Sequence, residues 1–356
     1  MSTQSGLQGL HAEVKSWLFS KDFDGMPVGA RNQLREQVDL LARNAFEKGD
    51  EAALTEAHRV LYVINMAQLT APWTVERLNV GDPLFSQLKG ILEKCWHQAS
   101  KKKYAPIIDA LPPAAQFREW VTQTVRSHPS NVTHPIFGFL RDKANFEQMR
   151  EFFLQETPLE ALFGDIIALM MPGVYGGIKL ELAKNFWDEV GHAEDARVHR
   201  NMRFELMDYL GLPSNVYTDR IDLLIREELA LVNMYMSMAM NRSRLTEILG
   251  ALLATETMIP GRFEWQIEGW RRLGVGDKQL AYLLEHTTVD VEHANAWMGE
   301  IIVPLLERNP AVMPEIVLGI MLRLDTAGAV VDKLNDHVRG IKESSVGPYR
   351  GAHKVP

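Results

Sequence analysis

The sequence predicts an all-helical protein, and three observations support this fold class. Apolar residues recur at close to 3.6-residue spacing among charged ones, as Leu34, Val38 and Leu41 do in the stretch 28–48. Runs of alternating β-branched residues flanked by tight-turn dipeptides, which would indicate strands, are scarce. Proline and glycine also interrupt the periodic segments at helix-length intervals.

The periodic segments predict three helices in the first third of the chain and about seven in the rest. The first three span residues 28–48, 51–69 and 83–101. The later ones end at proline or glycine, as at Pro172 and Gly211, which are ordinary stop signals. They span residues 146–171, 177–210, 219–239, 244–258, 261–273, 277–309 and 314–341.

Two proline-rich and polar segments, at 111–113 and 127–131, predict a division of the chain near residues 126–134. We expect a helical extension at 1–130, a helical domain at 131–343 and a flexible tail at 344–356. The extension serves either as a dimerisation arm, in which case the protein is a homodimer, or as a simple scaffold.

Composition excludes several classes of protein. Apolar residues make up 46% of the 356, which is enough to bury a sizeable core. A net charge of −8 disfavours a nucleic-acid partner, because phosphate binding needs clustered Lys and Arg. The single cysteine, Cys95, excludes an internal disulfide and a thiolate cluster. With no signal pattern and no apolar run of about 20 residues, we expect a cytoplasmic protein without membrane contact.

The segment 286–293 gives the sharpest chemical signal. His286, Asp290 and His293 are spaced i, i+4 and i+7, so a helix places them on one face. Two imidazoles and a carboxylate suit a divalent metal such as iron, manganese or zinc. The alternative is a polar helix face whose residues contact only water. The other residues of this helix are mostly apolar, which disfavours that alternative.

Further ligands must come from other helices, and Glu189 is the first candidate. It lies beside Phe186 and Trp187, so burying its charge without a partner cation would be costly if the side chain faces inward. Helix geometry slightly favours His192, three residues on, as its partner. His199 lies about 280° further round an ideal helix and shares the face only if the helix is distorted, for which Gly191 is a reasonable place.

Two more carboxylates stand in apolar surroundings. Glu256 lies in an apolar run and either binds metal, caps a neighbouring helix or pairs with Arg262. Glu156 follows a similar run, and a surface position is the alternative for it. Taken together, these residues make two carboxylate-plus-imidazole sets that share bridging oxygens, which suits a pair of irons.

At these residues the chain resembles the haem-oxygenase-like di-iron oxidases and oxygenases, which are iron-containing redox enzymes. The resemblance covers roughly residues 133–341. It rests on Phe152-Phe153-Leu154-Gln155-Glu156, on the segment 181–191, on His199, on Glu256 and on the H-x3-D-x2-H run.

The resemblance implies a haem-oxygenase-like helical bundle that binds two irons instead of haem. Its E-x9-H pair falls on Glu189 and His199, which reverses the geometric preference for His192. It implies an extra carboxylate on the preceding helix, for which Glu156 is the best match and Glu160 or Asp165 are alternatives. The implied metal ligands are Glu189, His199, Glu256, His286, Asp290, His293 and Glu156.

The implied function is that of an oxidoreductase of natural-product biosynthesis. Two ferrous ions would reduce the co-substrate O2 to a peroxo-di-ferric species, which would attack a small amino-acid-derived molecule. The expected reaction is N-oxygenation of an amine, and an external electron donor would be a further partner. Oxidative C–H or C–C cleavage by the same cofactor is the alternative, favoured by the methionine-rich helix 232–240. A metal-free or haem-binding enzyme of the same fold and a non-enzymatic interaction protein are the competing classes.

Overall fold

The computed structural model describes residues 7–342, except for the side chains of residues 288–292. The described part of the chain contains helices and turns but no strand, so the all-helical prediction is confirmed. It divides into two compact units, one reaching to Asp109 and the other beginning at Ala110. The expected tail at 344–356 lies outside the described residues.

The described part of the first unit contains four α-helices and two short 3-10 helices. Helix α2 packs against both α3 and α4, and α1 packs against α3. Leu34, Val38 and Leu41 on α2 are buried, as their spacing predicts. The helices are α1 (Leu10–Leu18), α2 (Val28–Phe46), α3 (Glu51–Leu69) and α4 (Pro83–Ile108).

The second unit is built around a 28-residue helix, α12, which packs against helices from both halves of the unit. Its described α-helices are α5 (Phe117–Ser127), α6 (Pro135–Asp142), α7 (Phe146–Met170), α8 (Gly176–Glu189), α9 (His199–Tyr209), α10 (Val216–Asp219), α11 (Arg226–Ala239), α12 (Leu245–Arg272), α13 (Ala281–Ala296), α14 (Val303–Arg308) and α15 (Met313–Arg339). A π-helical segment, Trp297–Ile302, joins α13 to α14.

Helices α12 and α15 approach each other so closely that their backbones touch. A Cβ atom on Gly250 would lie 2.0 Å from the carbonyl oxygen of Ile316, and one on Gly319 would lie 1.7 Å from that of Glu247. Glycine is therefore required on both sides of this crossing. The crossing fixes α12, the helix that carries Glu256.

The structure corrects the number and limits of the predicted helices. From Phe146 to Arg339 it describes nine α-helices rather than about seven. The helices predicted at 244–258 and 261–273 are one helix that runs through Pro260. Proline removes one backbone hydrogen bond and crowds the preceding turn. Burial of most of α12 on both sides of Pro260 offsets this cost.

The division of the chain also differs from the expected position. The structure divides between Asp109 and Ala110, whereas the proline-rich segments predict a division near residues 126–134. Helix α5 packs against α12, so residues 117–127 belong to the second unit. The physical reason is the apolar face of α5, on which Phe117, Val121 and Val125 are buried. Among the described residues no helix is both long and apolar enough to cross a membrane.

Candidate metal centre

The candidate ligands Glu189 and His199 come from two helices that a compact turn separates. Helix α8 ends at Glu189, and α9 begins at His199. Gly191 between them has a φ of 60°, and a Cβ atom there would lie 2.3 Å from the carbonyl carbon of Arg197. Only glycine fits this turn. The prediction of a single helix over residues 177–210 is therefore wrong. The expected distortion at Gly191 is confirmed, and it interrupts the helix.

The turn brings Glu189 and His199 together with His286 of α13. Nδ1 of His199 lies 3.1 Å from Oε1 of Glu189, and the rings of His199 and His286 are 4.4 Å apart between centroids. Each residue offers one ligand atom, and the three atoms lie within 4.8 Å of one another. One carboxylate and two imidazoles, all largely buried, are a donor set that binds iron or zinc.

The hydrogen bonds of the two imidazoles leave one nitrogen of each ring available. Nδ1 of His286 lies 2.8 Å from the carbonyl oxygen of Tyr282, to which it donates, so its Nε2 is free to bind a metal. Nε2 of His199 is buried and has no hydrogen-bond partner. A buried polar atom without a partner is costly, and a metal ion at this position would satisfy it.

The charges of this cluster suit displacement of a proton by a metal. Burial acts to raise the pKa of Glu189, but His199 holds that pKa below its ordinary value. Burial acts to lower the pKa of His199, but the charge of Glu189 raises it. Burial and the positive charge of His199 lower the pKa of His286. These shifts favour an ion pair between Glu189 and His199 and the neutral form of His286.

A second group of candidate ligands joins α12 to α13. Nδ1 of His293 lies 3.7 Å from Oε2 of Glu256, and its Nε2 lies 2.9 Å from Oδ2 of Asp188. Burial acts to lower the pKa of His293, but these two carboxylates raise it to about 9. Burial raises the pKa of Glu256 above its ordinary value. The side chain of Asp290 lies outside the described residues.

The structure distinguishes the three carboxylates proposed for α7. Oε2 of Glu156 accepts a hydrogen bond of 3.0 Å from Gln266, and Asp165 pairs with Arg200 at 2.7 Å on a partly exposed surface. Glu160 instead lines the same cavity as the candidate ligands and accepts a hydrogen bond from the hydroxyl of Tyr282. Of the three, Glu160 therefore lies closest to the arrangement that the resemblance implies.

His192 lies apart from the cluster. Its side chain is 40% exposed, its Nε2 donates to Oδ1 of Asp188 at 2.7 Å, and its ring stacks on Trp187. The helix-geometry preference for His192 assumed that α8 continues beyond Glu189. Because α8 ends there, His199 occupies the position beside Glu189 instead.

The candidate ligands line a cavity that also has apolar walls. Glu160, Glu189, Glu256, His286 and His293 contribute its polar side. The remaining lining residues are mostly apolar or hydroxyl-bearing, namely Leu159, Phe163, Thr255, Ile259 and Tyr282. The cavity has a volume of about 20 Å³, which is room for one molecule of about the size of water or O2.

Sequence reasoning did not single out Asp188 or Tyr282. Tyr282 precedes His286 by four residues, so helical spacing indicates that it shares the face of the ligands. Asp188 carried no such signal, because its contact joins α8 to His293 of α13, which is 105 residues further along the chain.

Comparison with protein families shows to which family the chain belongs. Residues 150–328, half of the chain, match the model of a family described as iron-containing redox enzymes. The chain belongs to this family. The matched region contains Glu189, His199, Glu256, His286 and His293, so the family's iron agrees with the carboxylate and imidazole donors found here. The predicted resemblance is confirmed.

Solved structures of low sequence identity resemble this iron-containing redox enzyme, and one of them has a TM-score above 0.5. A CADD-like protein of unknown function from Nostoc punctiforme PCC 73102 is 14% identical, with a TM-score of 0.51 over 65% of this chain and 99% of that chain. A domain of unknown function with a heme oxygenase-like fold from Shewanella denitrificans OS217 is 14% identical, with a TM-score of 0.46 over 64% and 94%. No curated protein matches the chain. The predicted all-helical, haem-oxygenase-like fold is confirmed.

Proposed function

We propose that this iron-containing redox enzyme is a non-haem di-iron oxygenase or oxidase that uses O2 to oxidise a small amino-acid-derived amine at nitrogen. The observation that carries the proposal is the buried cluster of Glu189, His199 and His286, in which Nε2 of His199 has no hydrogen-bond partner. A second iron would be held near Glu256 and His293, with Asp290 as the predicted further ligand.

The residues around the cavity support an oxidative reaction away from bulk water. Bound ferrous iron supplies electrons and open coordination positions for the reduction of O2. Leu159, Phe163 and Ile259 give the cavity apolar walls, which limit the entry of water. The hydroxyl of Tyr282 donates to Glu160 and so holds the orientation of that carboxylate at the cavity wall.

The position of Glu160 favours oxidation at nitrogen. The family resemblance associates an extra carboxylate on the preceding helix with members that oxidise nitrogen. Glu160 on α7 lines the cavity together with Glu189 and Glu256, whereas Glu156 is hydrogen-bonded to Gln266. We therefore propose Glu160, in place of Glu156, as the additional carboxylate.

Oxidative cleavage of a C–H or C–C bond is the second candidate. Three apolar side chains beside the candidate ligands, Leu159, Phe163 and Ile259, would hold a lipophilic substrate equally well. The two reactions differ in their products, because N-oxygenation adds an oxygen atom to the amine and desaturation removes two hydrogen atoms. A homodimer, a cytoplasmic location and an external electron donor stay predictions.

The proposal is tested by loading the metal-free protein with ferrous iron and measuring O2 consumption with a panel of amino acids and their amine derivatives. Mass spectrometry of the products is expected to show an amine that has gained oxygen. The His199→Ala variant is the control and should consume no O2 above background. Equal O2 consumption by wild type and this variant would contradict the proposal, and a desaturated or cleaved product would select the second candidate.

A further inference from the structure

Asp188 connects a candidate metal ligand to the protein surface. Its two carboxylate oxygens accept hydrogen bonds from two different histidines. Oδ2 lies 2.9 Å from Nε2 of His293, which faces the metal centre, and Oδ1 lies 2.7 Å from Nε2 of His192, which is partly exposed. Asp188 therefore lies between a ring at the metal centre and a ring that solvent reaches.

These contacts determine which nitrogen of His293 can bind a metal. With Nε2–H donated to Asp188, Nδ1 is the nitrogen left as a ligand atom. Nδ1 is also the atom that faces Glu256, at 3.7 Å. Asp188 thus orients the imidazole so that its free nitrogen points towards another candidate ligand. A carboxylate behind a metal-bound imidazole commonly has this effect, and it also makes the ring more basic.

The turn after Glu189 holds His192 in an unusual conformation. His192 and Ala193 have φ values of 56° and 67°, and they are the two non-glycine residues with positive φ in the described part of the chain. This conformation is costly for residues other than glycine and persists where surrounding contacts enforce it. It returns the His192 ring to Asp188, and Trp187 stacks on that ring with centroids 5.9 Å apart.

We propose that Asp188 is a positioning residue for the metal ligand His293 and that His192 holds Asp188 in place. The inference rests on the proposed function, because it takes His293 to be an iron ligand. It also gives His192 a role. Its ring does not reach the cluster, but it donates a hydrogen bond to Asp188 and so holds the residue that orients His293. The costly backbone of the turn places the His192 ring against Asp188 and so helps to orient that carboxylate.

The test compares ferrous iron binding to the metal-free Asp188→Asn variant and to wild type under anaerobic conditions. Asparagine keeps the size of the side chain but removes the charge and one acceptor. Loss of such a carboxylate weakens metal binding by about 10–100-fold, and we expect this loss for one of the two irons. Mössbauer spectroscopy of 57Fe-loaded protein should show one ferrous site depleted and the other retained.

Three further variants separate positioning from general damage. Glu194→Gln removes a charge from the same turn at an exposed residue and should bind iron as wild type does. Asp188→Glu restores the carboxylate and should recover part of the lost affinity. His192→Asn should cause a smaller loss than Asp188→Asn, because asparagine tolerates a positive φ but removes the imidazole.

The outcomes separate this inference from the proposed function. If wild type binds two irons and Asp188→Asn binds both with wild-type affinity, the positioning role is wrong while the proposed function stands. Equal weakening of both irons, together with a lower melting temperature of the metal-free variant, indicates a structural role and also overturns the inference. If wild type binds no second iron, the proposed function itself fails.

Discussion

The interiors of the two units differ in how their buried charges are satisfied. In the first unit, buried Glu56 accepts two hydrogen bonds from His11, and Glu93 pairs with Lys89. In the second unit, several buried side chains each carry a nitrogen or oxygen atom without a hydrogen-bond partner among the described residues, namely His199, Arg203, Glu228, Arg262, Gln266 and Arg323. Most of the unpartnered buried polar atoms of the described residues therefore lie in the second unit, and few lie in the first.

One of the unpartnered atoms of the second unit coincides with its candidate metal cluster. An unsatisfied buried polar group costs about 1–3 kcal/mol, so a protein keeps such groups where they serve a function. The unpartnered nitrogen of His199 lies in the cluster with Glu189 and His286, inside the region that matches the iron-containing redox enzymes. We expect substitutions at this cluster to affect iron binding and the substitution of a buried carboxylate in the first unit to affect stability alone.

Replacing Glu189 by glutamine should have the largest effect. The amide is a poor metal ligand and no longer balances the charge of His199. We therefore expect iron affinity to fall by more than about 100-fold, which exceeds the loss expected when a residue behind a ligand is removed. O2 consumption should be lost as well. Iron titration and an oxygen electrode measure both effects. Unchanged iron stoichiometry in this variant would remove Glu189 from the ligand set.

The pair Glu160→Gln and Glu156→Gln sharpens the assignment inside the second unit. Glu160 lines the cavity with the candidate ligands, and Glu156 is hydrogen-bonded to Gln266 instead. We expect Glu160→Gln to lower turnover of the amine substrate by about 10–100-fold and Glu156→Gln to change it little. The measurement is the rate of product formation by iron-loaded protein. The reverse order of the two variants would restore Glu156 as the extra carboxylate.

Glu228→Gln tests whether unsatisfied charge limits the stability of the second unit. Burial, and then the charge of Glu156, raise the pKa of Glu228 well above 4.5. A carboxyl group whose pKa is raised on folding contributes full stability below its unfolded pKa, and this contribution is lost as the pH rises through the folded pKa. Wild type should therefore lose melting temperature relative to Glu228→Gln as the pH rises above 4.5.

Parallel melting temperatures of the two proteins over that pH range would contradict this account of Glu228. Melting is measured on metal-free protein, so that iron binding does not stabilise one variant more than the other.

Glu56→Gln is the matched change in the first unit and should have the smallest effect. Burial acts to raise the pKa of Glu56, but the hydrogen bonds from His11 hold it below 4.5. A depressed pKa contributes stability above the unfolded pKa, and this contribution is lost as the pH falls through the folded value. We expect a loss of the order of 1 kcal/mol at neutral pH, which disappears in acid. Iron binding should be unchanged, and altered iron stoichiometry would break the comparison.

Part of the fold follows directly from local sequence. Helix α3 begins and ends at the predicted residues. Its start is fixed by Asp50, whose side chain accepts a hydrogen bond from the backbone N–H of Ala53. Tertiary packing decides the rest. Pro260 is a stop signal in the sequence, yet α12 continues through it because most of the helix is buried. The turn at Gly191 depends on contact with Arg197, which no periodic pattern indicates.

The candidate site shows the same limit. Spacing along α13 was enough to single out His286 and His293. The pairing of Glu189 with His199 required the family resemblance, because helix geometry alone favours His192. Choosing between Glu156 and Glu160 required the structure, since both lie on one face of α7 one turn apart and only their neighbours differ.

The most direct test of the account is the number of ferrous ions that the metal-free protein binds under anaerobic conditions, measured beside the His286→Ala variant. The account predicts two irons per chain in wild type and a loss of iron in the variant, because His286 lies in the cluster with Glu189 and His199. No iron uptake by wild type, or equal uptake by both proteins, would contradict it.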